Sequence, residues 1–270
     1  MTVTYGPDLL KVDNVSLSYG DKPVLRGVNA EIKEILRSDG KGQVVGFLGP
    51  SGIGKTSLFR IISGLDSPTS GQVILDGGIP VRAGLVGVVS QNYCLFDNRT
   101  VLGNLLLAAR QSEKSETVCH DKIFSLLEEF DLTDKINLYP AQLSGGQKQR
   151  VAILQQILCS SHVLLFDEPF SGLDLIALEK VSALIQKVSN MDAANCSIVV
   201  THDVTTACSV ADHLWLLGRD RDEKGQPIPG ASIKVVYDLV ERDLCWHPDI
   251  TKDIRFTEFV LEVKNEFRKL

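Results

Sequence analysis

The sequence predicts an α/β fold built around a mostly parallel sheet, and three observations carry that prediction. Four short apolar runs, QVVGFL, LVGVVS, VLLF and SIVVT, each lead into a residue of chemical interest: Gly49, Gln91, the pair Asp167 and Glu168, and His202. Continuous Val/Ile/Leu runs of this length suit strands buried on both faces of a parallel sheet. Helical patterns lie between them and supply the crossovers that parallel strands require. Ligands of such sheets bind beyond the carboxyl ends of the strands, so the four positions are expected along one edge although they are far apart in the chain.

Each element follows from local pattern. VDNVSLSYG (12–20) alternates well enough for a strand, and VLRGVNAEI (24–32) reads as another. KEILRSDGKG (33–42) is polar and is expected as an exposed loop or hairpin extension before the strand QVVGFL. In SGQVILDGGIPV, Asp76, Gly77 and Gly78 predict a hairpin turn, because glycine tolerates positive φ. Between about 100 and 134, VLGNLLLAAR and KIFSLLEEF carry the three-to-four-residue apolar spacing of helices, and VAILQQILC continues a helix beyond Arg150. An amphipathic helix is expected over 175–188. Past Gly218, RDRDEKGQPIPGA reads as a turn or loop, IKVVYDL as a strand, and Phe256, Phe259, Val260, Val263 and Phe267 as one face of a closing helix.

Composition narrows the function classes. At 270 residues the chain is sized for one large domain, or one with a small appendage, and 44% hydrophobic with 23% charged residues is ordinary for a globular protein. A net charge of −6 argues against a broad grip on nucleic acid, which needs clustered Lys and Arg. No apolar run reaches the ~18–20 residues that cross a bilayer, and MTVTYGPDLL lacks the features of a signal peptide, so any membrane role is expected to be peripheral. Cys94, Cys119, Cys159, Cys196, Cys208 and Cys245 form no CxxC pair and are expected as reduced thiols.

GPSGIGKTS (49–57) fits the phosphate-binding pattern G-x-x-x-x-G-K-[ST]. Gly49, Gly52 and Gly54 let the backbone curl through Pro50, Ser51 and Ile53, so that successive N–H groups face phosphate oxygens. Lys55 adds a cation, Thr56 offers a hydroxyl to Mg²⁺, and Ser57 adds a backbone contact. The helix that follows brings its positive dipole end to the same anion and is expected to stop at Gly64. Asp167 and Glu168 would by themselves suit a helix cap or a surface ion pair. Beside a phosphate loop, Asp167 is expected to hold Mg²⁺ through water and Glu168 to polarise an attacking water as general base. Gln91 and His202 are uninformative singly and gain meaning from their joint placement.

With those residues in place, the stretch from about 12 to 218 resembles the ATP-binding cassette family, specifically the nucleotide-binding subunit of ABC transporters. LSGGQKQR (143–150) resembles the family's signature motif. The resemblance makes Tyr19 an aromatic that stacks on adenine, and Gln91 a glutamine that touches both Mg²⁺ and the transporter. It places Asp174, in FSGLD (170–174), in the loop that follows the catalytic acid, and makes His202 the histidine that contacts the γ-phosphate. It implies a cassette over 1–218 with an N-terminal antiparallel β-subdomain, a mostly parallel core and a helical subdomain at about 92–150. A C-terminal extension with a strand and a helix follows over 219–270. Glu168, His202, Lys55 and Gln91 would be the catalytic set.

Ser144 can cap a helix starting near Gly146, while Gly145 and Gly146, followed by Gln147, keep side chains away so that another surface can approach. In the family these groups meet the γ-phosphate held by the opposite subunit, so two copies of the chain would sandwich two ATP molecules head to tail. The implied partners are transmembrane permease subunits and, through them, a periplasmic or extracellular solute-binding protein. No nucleic acid is expected, and the implied location is the cytoplasmic face of the cell membrane. NYCLFDNRTVLGN (92–104) is expected to line a groove for the permease, with Tyr93, Leu95 and Phe96 equally readable as core. That segment is most similar to importers, notably the branch serving nitrate, sulfonates and taurine. The 33–42 stretch and the tail beyond 218 depart from minimal cassettes, and Trp246 in CWHPDI is expected to pack on the cassette. An export or lipid-transport ATPase shares every motif quoted. A soluble cassette acting on DNA or the ribosome fits less well, for want of a long coiled-coil insertion or a second cassette.

Overall fold

The computed structural model describes residues 4–159, 162–245 and 250–270. Its strands are β1 (Thr4–Tyr19), β2 (Lys22–Leu36), β3 (Gln43–Leu48), β4 (Ser70–Leu75), β5 (Ile79–Pro80), β6 (Gly87–Val89), β7 (Val163–Asp167), β8 (Cys196–Thr201), β9 (His213–Arg221) and β10 (Pro227–Asp238). Its helices are α1 (Lys55–Ile62), α2 (Val101–Ser112), α3 (Glu116–Glu129), α4 (Gly145–Cys159), α5 (Leu175–Ser189), α6 (Val204–Val210) and α7 (Ile254–Phe267). The ten strands of the described residues form one sheet in the order β5-β4-β1-β2-β10-β9-β3-β8-β7-β6.

The four apolar runs become four adjacent strands. β3 pairs with β8, β8 with β7 and β7 with β6, all parallel, and β9 adds a parallel neighbour to β3. Along β3, Val44 and Leu48 enter one core while Val45 and Phe47 enter the other. A strand with period-two side chains and a core on both faces has no polar face to show, which is why the run reads as unbroken hydrophobe. The antiparallel pairs are β1–β2, β1–β4, β4–β5 and β9–β10, and β10 joins the two parts of the sheet by pairing parallel to β2.

The 33–42 stretch takes the second of its two expected forms, a hairpin extension, and the stretch beyond Gly218 is more strand than expected. β2 runs through Leu36, with Ile32 and Ile35 buried and Thr4 paired to Leu36, so the 33–42 stretch lengthens the hairpin and only its second half is loop. Likewise RDRDEKGQPIPGA is largely the β9–β10 hairpin. Its tight turn is closed by the Asp222 carboxylate, which accepts from the N–H groups of Lys224 and Gln226 at 2.9 and 2.8 Å. Asp220 on this hairpin pairs with Arg26 and Lys234. The Asp76–Gly78 turn between β4 and β5 forms as expected, with Gly77 at φ 72°.

The helical segment packs as α2 against α3 and α4. Thr100 caps α2 and Ser115 caps α3 through their hydroxyls. The tail is built onto the same core. Phe256, Phe259, Val260 and Val263 of α7 are buried, and the Tyr237 ring meets Phe259 edge-on at 5.3 Å. Arg242 lies over both rings and bonds Glu262 at 2.9 Å. The closing helix therefore docks on its own chain. At the seam between tail and N-terminus, Asp238 accepts from Tyr5 and lies 3.3 Å from His213. Burial works to raise this carboxyl, but the hydrogen bonds from His213 and Tyr5 outweigh it and hold it at about 2. The six cysteines are free, and Trp246 lies outside the described residues. Among the described residues no helix is long and apolar enough to cross a membrane.

Candidate functional site

β3 delivers the chain into the phosphate loop at its carboxyl end, and α1 begins six residues after Gly49 at Lys55. Gly52 and Gly54 hold φ of 76° and 117°, conformations that side-chain-bearing residues rarely adopt. Gly49 has a different reason to be glycine: a Cβ there would lie 3.0 Å from both Ile53 and the carbonyl of Leu217. Ile53 is buried beneath the loop, and its N–H bonds the Pro50 carbonyl at 3.3 Å. Ser51 and Thr56 are exposed, and Ser57 is half-buried.

Lys55 is only 8% exposed. Its Nζ donates to the Gly49 carbonyl at 2.7 Å and the Pro50 carbonyl at 3.2 Å, and lies 3.9 Å from Glu168 Oε1. Burial lowers the ammonium pKa, partly offset by Glu168 and Asp167. The loop is thus folded around its own lysine. α1 ends at Ile62, and Gly64 at φ 70° turns the chain where a Cβ would strike the Arg82 backbone.

β7 ends in Asp167, and Glu168 follows with φ 47°, a left-handed backbone for a residue with a Cβ. Strain of this kind costs on the order of 1–3 kcal/mol and persists where surrounding contacts enforce it. Here the Glu168 N–H bonds the Val200 carbonyl of β8 at 2.8 Å. The Thr201 hydroxyl donates to Glu168 Oε2 at 3.0 Å, and His202 Nδ1 sits 2.9 Å from both carboxylate oxygens. Thr201 also accepts from the Asp203 N–H at 3.1 Å, tying the carboxylate to the start of α6. Thr201 was not singled out by pattern; the THD triplet at a strand end was its only signal. Burial and the neighbouring Glu168 raise the Asp167 pKa, while Lys55 pulls it down. A cation near Asp167 would relieve that conflict. Thr56 and Asp167 suit a hard cation whose remaining ligands are water and phosphate oxygens. Among the described residues no group of three or more His, Cys, Asp or Glu could cage a metal.

Among the described residues no hydrogen bond or ion pair joins the signature stretch to this cluster. Gln147 N–H bonds Ser144 Oγ at 3.3 Å, and Gln147 Oε1 accepts from the Ser144 N–H at 2.8 Å, a reciprocal capping box at the start of α4. The helix begins at Gly145, one residue before the expected start. A Cβ on Gly145 or Gly146 would meet nothing within 4 Å. Asp174, which the resemblance assigns to nucleotide, caps α5 by accepting from the Ala177 N–H at 2.8 Å.

Tyr19 ends β1 and is 59% exposed, and Gln91 is exposed in the turn after β6. The segment beyond Gln91 is held by Asn104, which is fully buried. Its Oδ1 accepts from the Phe96 N–H at 2.8 Å, and its amide donates to the carbonyls of Phe96, Arg99 and Thr100. Tyr93 and Leu95 pack partly on the core while Phe96 is 49% exposed, so the segment is divided between core and surface.

Against known proteins, a family model described as ABC transporter matches residues 36–171. The sulfate/thiosulfate import ATP-binding protein CysA of Pseudomonas syringae pv. tomato is 34% identical over 247 residues, covering 88% of this chain and 72% of that protein. The chain belongs to the ABC transporter family.

CysA of Mesostigma viride is 36% identical over 221 residues, 80% of this chain, and the chain spans only 61% of that relative's length. The spermidine/putrescine import ATP-binding protein PotA of Thermotoga maritima is 36% identical over 213 residues, 77% of this chain and 55% of its own. These names concern sulfate, thiosulfate and polyamines rather than nitrate, sulfonates or taurine. An ATP-binding cassette solved as a dimer in a post-hydrolysis state, bound to ADP and Pi, is 28% identical with a TM-score of 0.66 over 85% of this chain and 98% of its own. CbiO1 from Clostridium perfringens, described as part of the ABC transporter complex cbiONQ, shares the fold with a TM-score of 0.71 at 24% identity, covering 88% of this chain and 91% of its own.

Proposed function

We propose that the chain is the ATP-hydrolysing subunit of a membrane ABC transporter that imports a small solute, working as a head-to-tail dimer with ATP between its two copies. The observation that carries this reading is that two motif clusters share no hydrogen bond or ion pair among the described residues. Lys55, Asp167, Glu168, Thr201 and His202 converge at one sheet edge, while the capped start of α4 presents two glycines to open space. Each half is incomplete, and a second copy supplies what the first lacks. In this reading the phosphate loop of one chain holds ATP, and Ser144, Gly145, Gly146 and Gln147 of the other meet its γ-phosphate. Tyr19 stacks on adenine, and Asp174 lies at the seam between the chains.

Glu168 acts as the general base, its carboxylate oriented by Thr201 and His202 before substrate arrives. His202 then turns from the carboxylate to the γ-phosphate. Lys55 exchanges the carbonyls of Gly49 and Pro50 for phosphate oxygens, a change favoured because a buried ammonium gains more from an anion than from neutral acceptors. Thr56, Asp167 through water, and Gln91 would hold Mg²⁺, which supplies positive charge to the phosphates. Loss of the γ-phosphate removes contacts between the copies and opens the dimer. Permease subunits dock beside 92–104 at the cytoplasmic face of the membrane, and a solute-binding protein acts through them. The import names of the relatives support this direction.

Complementation tests the shared site. Lys55→Ala and Ser144→Arg chains should each turn over ATP about a hundredfold more slowly alone. Mixed, they should regain ATP turnover, because one site of the mixed dimer then pairs an intact phosphate loop with an intact signature stretch. A mixture as slow as its components overturns the arrangement. Co-purification in detergent with a multi-span membrane protein tests the transport role, and co-migration with ribosomes or nucleic acid contradicts it.

A further inference from the structure

Thr201 and His202 both bond the Glu168 carboxylate, but they are not equivalent. Thr201 is the last residue of β8, between β3 and β7, and is 1% exposed. Its β-branched side chain is stiff at χ1. His202 follows the strand, and its side chain is 55% exposed. The Thr201 hydroxyl also has its one proton committed. Its oxygen accepts from the Asp203 N–H at 3.1 Å, and a backbone N–H can only donate. The hydroxyl proton is left for Glu168 Oε2, 3.0 Å away. Asp203 in turn caps α6, accepting from the Thr206 N–H at 3.2 Å and the Thr206 hydroxyl at 2.6 Å. The donor that fixes Thr201 is therefore itself fixed.

The main chain of Glu168 is held by the same strand, its N–H on the Val200 carbonyl at 2.8 Å. β8 thus holds Glu168 at two points, the backbone and one carboxylate oxygen. The second oxygen differs. Among the described residues Oε1 accepts from no backbone or hydroxyl donor. It lies 2.9 Å from His202 Nδ1 and 3.9 Å from Lys55 Nζ. His202 Nδ1 is as close to Oε2, so it does not tell the two oxygens apart. Lys55 does: it comes from the phosphate loop, and Oε1 is the oxygen turned towards it.

We propose that Thr201 is a positioning residue that divides the labour of this carboxylate: it ties Oε2 to β8 and leaves Oε1 as the oxygen that takes the proton of the attacking water. The proposal rests on the ATPase reading. In that step the water oxygen bonds the γ-phosphorus and its proton passes to Oε1. The bond from the γ-phosphorus to the bridging oxygen breaks, and its electron pair leaves on ADP. His202 can exchange the carboxylate for the γ-phosphate because Thr201 keeps the aim of Glu168 without it.

A Thr201 series in the full chain decides it, read by steady-state ATP turnover, ATP titration and Tm. Thr201→Val keeps the shape and removes the donor. It should lower kcat about tenfold to a hundredfold, the worth of a hydrogen bond to a charged group, while ATP affinity stays within about twofold. Thr201→Ser restores the hydroxyl and should restore turnover. Thr201→Cys carries a weak donor and should fall between the two, so that rates follow donor strength rather than Tm. Wild-type turnover in Thr201→Val, or a serine variant as slow as the valine one, overturns the proposal and leaves Glu168 as the base. If Thr201→Val does not fold, equal rates in the serine and cysteine variants overturn it instead. Normal turnover in Glu168→Gln would strike the ATPase reading itself, so the two failures are distinct.

Discussion

The phosphate loop and the signature stretch are both glycine-rich starts of helices, yet they are glycine-rich for opposite reasons. At the phosphate loop the demand is internal. Gly52 and Gly54 carry positive φ, a Cβ on Gly49 would crowd Ile53 and the Leu217 carbonyl at 3.0 Å, and the loop wraps a buried lysine bonded to its own carbonyls. At the signature stretch nothing in the chain requires glycine: Gly145 and Gly146 face open space and the capping box is complete without them. A glycine that its own fold does not need is a vacancy for something else to approach. The difference between the two loops is the physical case for a composite site.

The largest expected effect strikes the first region. Glu168→Gln should slow phosphate release by about a hundredfold to ten-thousandfold, the usual contribution of a general base, while ATP binding persists and light scattering detects a trapped dimer. Normal turnover would remove Glu168 from the chemistry. Next, Lys55→Ala should cut turnover by about a hundredfold, because it deletes the charge aimed at the transferred phosphate. Unaltered nucleotide affinity and turnover in a titration would show that the lysine only props its loop. Ser144→Arg sharpens the contrast. ATP binding to the monomer should stay within about twofold, since that site belongs to the other loop, while ATP-driven dimerisation is lost. Full dimerisation would place the signature stretch outside the interface.

The smallest effect separates the two glycine classes by sign. Gly54→Ala should destabilise the free monomer by about 1–3 kcal/mol in denaturant titration, through forced positive φ and contact with Val24 and Leu25. Gly146→Ala should stabilise it by about 0.5–1 kcal/mol through helix propensity and yet weaken dimerisation. If both substitutions destabilise equally, the distinction between an internally required and an externally required glycine fails.

Much of this was legible before any coordinates. The phosphate loop, the acid pair and the strand-end histidine could be placed on one edge because buried parallel strands leave an unmistakable apolar run, each with its chemistry at the carboxyl end. Less legible were stretches where charge masks periodicity. RDRDEKGQPIPGA read as a turn or loop because the strand ends it supplies to the β9–β10 hairpin carry charged residues, Pro and Gly, with no buried apolar residue before Ala231. Thr201 escaped notice for a different reason. A hydroxyl one residue before a histidine acquires a role only when β7 and β8 set it against Glu168.

By itself the sequence determined the family's motifs, the order of the strands along the chain and the residue types at each half-site, since these depend on local spacing and on which positions must be apolar. Only the tertiary structure decided that Glu168 is held in a left-handed backbone between Thr201 and His202. The same holds for Gly145 and Gly146, where an added Cβ would meet nothing within 4 Å. Those are statements about what surrounds a residue in space, and a linear pattern cannot report the distance between groups that folding brings together.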